Sequence, residues 1–168
     1  MKLKMNSILG SAALAAAVML PLPAISQEVT LKLHTFLPPP ANPVKHFLVP
    51  WAEKVGKDSK GRIKVQIYPV MQLGGKPTQL LEQVRDGVVD IAWTLPGFTP
   101  GVMPKLEVFA LPFMHRSTKG TVMALQEFIP KYMQKEFEPY HLLLAHSHAG
   151  ALVMTKAPIN KVEDFKGV

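Results

Sequence analysis

The chain has 168 residues, no cysteine and a formal net charge of +7. That length suits one domain rather than two, and the absence of thiols excludes disulfides, cysteine nucleophiles and cysteine-bound metals. The charge falls from +7 to +5 when Lys2 and Lys4 are set aside; the other lysines are scattered, a solvated basic surface rather than a nucleic-acid face.

The first 26 residues read as an export signal. Lys2 and Lys4 form a positive start, Ile8 to Leu20 is an apolar, alanine-rich stretch, and Ala24-Ile25-Ser26 offers small residues before a cleavage point after Ser26. The alternative is an uncleaved anchor, for which the apolar stretch is short. The mature protein is therefore expected in the periplasm.

Val29, Leu31 and Leu33 alternate with Thr30, Lys32 and His34, the period of a half-buried strand that ends at Thr35-Phe36 before Pro38-Pro39-Pro40. Val44, Phe47, Leu48, Trp51, Ala52 and Val55 make one apolar helical stripe. Pro43 suits its start, and Pro50 predicts a kink or a late restart. Ile63, Val65 and Ile67 alternate in a second strand stopped by Pro69. Gly75-Lys76 fails as a phosphate loop, because Val70 stands where the first glycine belongs and Pro77 replaces the magnesium-binding hydroxyl. Gln79 to Asp86 predicts a helix with Leu80, Leu81 and Val84 inward. Gly87 supplies a turn, Val88 to Thr94 a short buried strand, and Leu95 to Gly101 a Pro/Gly-rich exit loop.

Val108 to Phe113 is an apolar, proline-bounded block. Thr118 to Gln134 predicts a long helix with Val122, Leu125, Phe128, Ile129, Tyr132 and Met133 inward and a kink at Pro130. His141 to Ala145 and Ala151 to Thr155 read as strands around a polar break, and Asn160 to Lys166 as the start of a helix or turn. Strands alternating with helices indicate an α/β fold with a largely parallel sheet. In such sheets ligands sit beyond the carboxyl ends of the strands, which points to Phe36, Thr94, Leu95 and Phe98. Thr94 is expected to offer a hydrogen bond, and Trp93 to pack on the opposite side while still edging the cleft. Phe98 fits either a ligand wall or a plug under its own loop.

The ordered set of segments is similar to one family. The export signal, the Leu31-to-Phe36 strand, Ile67-Tyr68-Pro69 with Gln72-Leu73-Gly74, Asp86-Gly87-Val88-Val89-Asp90, Phe109-Ala110-Leu111-Pro112-Phe113 and Val162-Glu163-Asp164-Phe165-Lys166-Gly167 together resemble the DctP-type solute-binding proteins of TRAP transporters. The resemblance implies a periplasmic binding protein-like fold of two lobes that closes on an organic acid. It implies sodium-coupled delivery to a permease of one small and one large membrane subunit, with no cofactor and no turnover. By this resemblance residues 27–145 form most of the first lobe and 146–168 the crossing into the second, which makes the chain look like an amino-terminal fragment. The family's ligand-clamping arginine is expected beyond Val168; such a planar fork bonds a carboxylate in bidentate fashion. Relatives that take polyhydroxylated acids carry polar residues where this chain has Leu95 and Phe98, and an arginine where it has Ala151. The more apolar wall implies an aromatic or branched-chain carboxylate.

His146 and His148 are expected at the lobe crossing as ligand contacts or hinge residues. With His141 they raise a metal reading, but an i, i+2 histidine pair with no carboxylate nearby in sequence is a poor ligand set. Ser147 between them raises a secreted hydrolase, yet no Gly-x-Ser-x-Gly elbow accompanies it. An exported binding module without a transporter is the other alternative; neither enzyme nor nucleic-acid partner is favoured.

Overall fold

A computed structural model describes residues 29–111, 113–148 and 154–167. The proposed export signal and the start of the Ala151-to-Thr155 strand lie outside them. Three parallel strands form the sheet: β1 (Val29–Thr35), β2 (Ile63–Tyr68) and β3 (Ile91–Trp93). Their order is β2-β1-β3, with Val29 opposite Ile63, His34 opposite Tyr68, and Thr35 opposite Trp93. The chain thus runs from β1 outward to β2, then crosses back over β1 to β3.

The two crossovers cover opposite faces of the sheet. One turn of π-helix at Val44–Leu48 leads into α1 (Val49–Asp58), whose first turn holds Pro50, the late restart. Val44 and Leu48 are buried against Leu33, with Val65, Ile67, Ile91, Trp93 and Trp51 packed around them. Phe47, expected on the same stripe, is instead 40% exposed. The wider π turn, closed by the Val49 amide on the Val44 carbonyl, shifts the helical phase so that Phe47 faces the sheet's edge.

On the other face, α2 (Leu80–Arg85) is anchored by fully buried Leu80. His34, expected on a solvent face by simple alternation, is fully buried there. The crossover to β3 covers that face, so the strand end is enclosed on both sides. His34 Nδ1 meets Gln83 Oε1 at 2.7 Å, and the Leu73 amide donates to Nε2 at 3.3 Å. Because Nε2 accepts, Nδ1 carries the proton in this arrangement. Gln83 Nε2 in turn donates to the Gly74 carbonyl at 3.1 Å.

β3 is shorter than the expected Val88-to-Thr94 strand. Gly87 turns the chain with φ of 72°, and the Val88 and Val89 amides donate to the Gln83 carbonyl. At the next position a side chain extends the pairing to β1: Lys32 N–H donates to Asp90 Oδ2 at 2.7 Å, while the Asp90 amide donates to the Lys32 carbonyl at 3.1 Å. The strand itself begins at Ile91, opposite Leu33.

A second core lies beyond the sheet. Met103, Leu125, Ile129 and Met133 are buried together, flanked by Leu106 of α3 (Pro104–Glu107), by Phe109 and Phe128, and by Leu81 of α2. α4 (Thr118–Tyr132) starts where Ser117 Oγ accepts from the Gly120 amide, and continues through Pro130 for two residues. Tyr132, expected inward, is 56% exposed; near the helix end it leans on Phe128 at 4.9 Å rather than entering the core.

His141 to Ala145, expected as a strand, has no ladder partner among the described residues. Ala145 packs on the second core and its carbonyl accepts from Gln126 Nε2 at 3.2 Å, but Leu142, Leu143 and Leu144 are exposed. Val162–Phe165 forms the expected turn, with Asp164 Oδ2 accepting from the Asn160 and Lys161 amides.

Candidate functional site

Reversal of direction at β1 makes the space between the carboxyl ends of β1 and β3 a topological switch point, where the two crossovers leave toward opposite faces of the sheet. The last paired residues there are Thr35 and Trp93. Phe36 and Thr94 follow them out of the sheet on adjacent strands.

The β1 exit is held by its own hydroxyl and by the β2 loop. Thr35 Oγ1 accepts from the Leu37 amide at 3.2 Å, the Thr35 carbonyl from the Met71 amide at 3.1 Å, and the Leu37 carbonyl from the Val70 amide at 3.1 Å. Val70 and Met71 adopt φ of 47° and 57° to deliver those amides, a conformation unfavourable for side-chain-bearing residues and most of all for β-branched valine. The β3 exit is a 3₁₀ turn, Pro96–Phe98, closed by the Phe98 amide on the Leu95 carbonyl at 3.1 Å. That turn swings the Phe98 ring edge-on to Phe36, centroids 4.9 Å apart and planes at 83°.

A second aromatic group lies one residue back. Trp93 has Phe47 at 5.7 Å and His146 stacked at 4.7 Å, planes 28° apart. Thr94 Oγ1 is buried without a hydrogen-bond partner among the described residues. Leu95 is half-buried at the start of the exit turn; His146 and His148 are exposed. The structure therefore gathers Phe36 with Phe98, and brings His146 to Trp93. Phe47 and Trp93, read from the sequence as packing, belong to the same end of the sheet. For Trp93 the sequence signal was its place at a strand's carboxyl end; for Phe47 there was none, since the phase shift comes from the π turn.

Charge is scarce at this end. Arg62 precedes β2 and its Nε donates to the Ser59 carbonyl at 3.1 Å; Arg85 precedes β3 and binds Asp86 at 2.9 Å. That hydrogen bond holds the exposed Asp86 carboxyl below its usual value and the Arg85 guanidinium above its own. Both arginines thus stand at the amino ends of the strands, and Arg116 precedes α4. Among the described residues no three His, Cys, Asp or Glu side chains converge on one point. The Ser147 hydroxyl donates to the His148 carbonyl at 3.3 Å. An apolar hollow of about 590 Å³ between α1 and β2, lined by Val49, Ala52, Ile63, Val65 and Ile67, lies along the outer side of β2, apart from the crevice. What this end of the sheet offers is an apolar, aromatic wall with the Thr94 hydroxyl and the His146 imidazole beside it.

The profile described as bacterial extracellular solute-binding protein, family 7 (DctP) matches residues 34–168. Among curated proteins, the outer membrane transporter protein TsaT of Comamonas testosteroni is 33% identical over 160 residues, 94% of this chain and 46% of TsaT. This chain thus spans less than half the length of that relative. A solved TRAP solute-binding protein from an unidentified marine microbe, specific for aromatic acid ligands and bound to 3-hydroxybenzoate, is 55% identical. Its TM-score is 0.68, over 71% of this chain and 37% of that one. The TRAP solute-binding protein of Rhodoferax ferrireducens, bound to copurified benzoate, is 48% identical with a TM-score of 0.63, over 66% and 34% of the two chains.

Proposed function

The chain belongs to the DctP family of bacterial extracellular solute-binding proteins, and from that premise we propose that it is the receptor of a TRAP transporter for an aromatic carboxylate. Residues 1–26 export it and are removed after Ser26; residues 27–145 supply most of the first lobe and 146–168 lead toward the second. The ligand sits at the switch point against Phe36, Thr94, Leu95 and Phe98, with His146 and His148 along the rim. Its carboxylate is met by an arginine outside the described strand exits, because Arg62 and Arg85 stand at the opposite end of the sheet. Closed around its ligand, the receptor passes it to a permease of small and large membrane subunits for sodium-coupled uptake.

The observation that carries this reading is the Phe36–Phe98 edge-to-face pair at the crevice. Aromatic walls present flat apolar area to a ring at low entropic cost, whereas a sugar acid brings hydroxyls that such a wall leaves unpaired. The 55% and 48% identical relatives, bound to 3-hydroxybenzoate and benzoate, support it. Calorimetric titration of the full-length protein with benzoate, mandelate, succinate and glucuronate tests it. Benzoate-type acids are expected to bind tightest; tighter binding of glucuronate or succinate overturns the proposed ligand class.

A further inference from the structure

The face of Trp93 is occupied by a ring from far along the chain. The His146 imidazole lies over the indole at 4.7 Å and 28°, a stacked geometry, while Phe47 leans on it at 47° from the β1–β2 crossover. His146 is exposed, and it follows a run without ladder bonds whose Leu142, Leu143 and Leu144 are exposed as well. The hold on that run includes Ala145, which packs on the second core and accepts from Gln126. An indole face selects by flatness and π-electron density rather than by hydrogen bonding. A flat aromatic ring from an exposed segment has settled on it, one residue short of the proposed ligand wall.

We infer that the Trp93 face is the ring-stacking platform of the ligand site, and that the His146 imidazole is its internal stand-in, displaced when the ring of an aromatic carboxylate docks. The inference rests on the proposed aromatic-acid receptor and adds which surface reads the ring and what competes for it. A competing internal ring lowers apparent affinity by the fraction of time it holds the platform. A stacked aromatic pair of ordinary strength corresponds to about 2- to 10-fold. Ligands without a flat ring cannot use the platform and draw no benefit from it.

The test uses the full-length protein, freed of copurified ligand by unfolding and refolding, titrated calorimetrically with benzoate. Replacement His146→Ala is expected to tighten benzoate binding about 2- to 10-fold. Trp93→Leu is expected to weaken it by about 10-fold or more, and Trp93→Phe, which keeps a ring, by much less. The ligand-free melting temperature of Trp93→Phe guards against a folding defect, and the change in tryptophan emission on adding benzoate should shrink in that variant. Unchanged or weaker benzoate binding in His146→Ala overturns the stand-in. Normal affinity in Trp93→Leu overturns the platform while leaving the receptor reading intact. A wild-type protein that binds glucuronate but not benzoate removes both.

Discussion

Two apolar runs of strand length, Ile91–Trp93 and His141 to Ala145, meet different fates. The first lies beside the free edge of β1 and becomes a strand. Asp90 reaches back to Lys32 just before it, setting the register with a charge-assisted bond. The second is longer and richer in leucine, yet no described strand lies beside it, and its three successive leucines stay exposed. An apolar run becomes a strand only where a ladder partner is in reach, because unpaired amides and carbonyls are costly to bury.

The sharpest way to break this contrast is to shorten one leucine in each setting. Leu33→Ala, at the centre of the sheet core, is expected to cost about 2–5 kcal/mol in denaturant unfolding, against about 0.5 kcal/mol or less for Leu143→Ala; equal losses would mean that the second run is packed in solution. Next in size is Asp90→Ala. Loss of the bond to the Lys32 amide should cost about 1–2 kcal/mol and speed amide exchange across β3, and an unchanged exchange rate would show that β3 holds its register unaided. Thr94→Val is smaller and opposite in sign: removing a buried hydroxyl that has no partner among the described residues should raise ligand-free stability by up to about 1 kcal/mol, and a clear loss would reveal a partner for it. Smallest is Asp86→Asn at the amino end of β3. Arg85 lowers the Asp86 carboxyl's pKa, so the pair's contribution is present above the usual carboxylate range and fades as acid protonates Asp86. Both groups are exposed and screened by solvent, so the melting temperature at neutral pH should not move.

The legible parts of the fold were those written in local periodicity. β1, β2, the restart of α1 at Pro50 and the inward face of α4 through Leu125, Ile129 and Met133 could be read directly, since each depends on neighbours within a few residues. What escaped depended on partners distant in sequence. His34 looked solvent-facing because alternation cannot tell that a crossover covers the second face. Tyr132 looked buried because periodicity does not say where a core ends. The strand ends carrying Phe36 and Phe98 were readable, but their contact follows from the β2-β1-β3 order, which the pattern alone does not specify. The Trp93–His146 stack joins residues that lie before and after the second core in sequence, beyond any local signal.

The buried His34 relay joins three stretches of backbone: β1, α2 through Gln83, and the loop at Leu73 and Gly74. Gly75 is part of the same fit, since a Cβ there would stand 2.7 Å from Gln83 Nε2. Gln83 or Leu73 cannot leave without unpairing the buried His34 imidazole, so helix, loop and strand end should open together as one cooperative unit. Their slowest-exchanging amides would then share a single opening free energy, and the floor beneath the proposed ligand wall would move as one rigid piece.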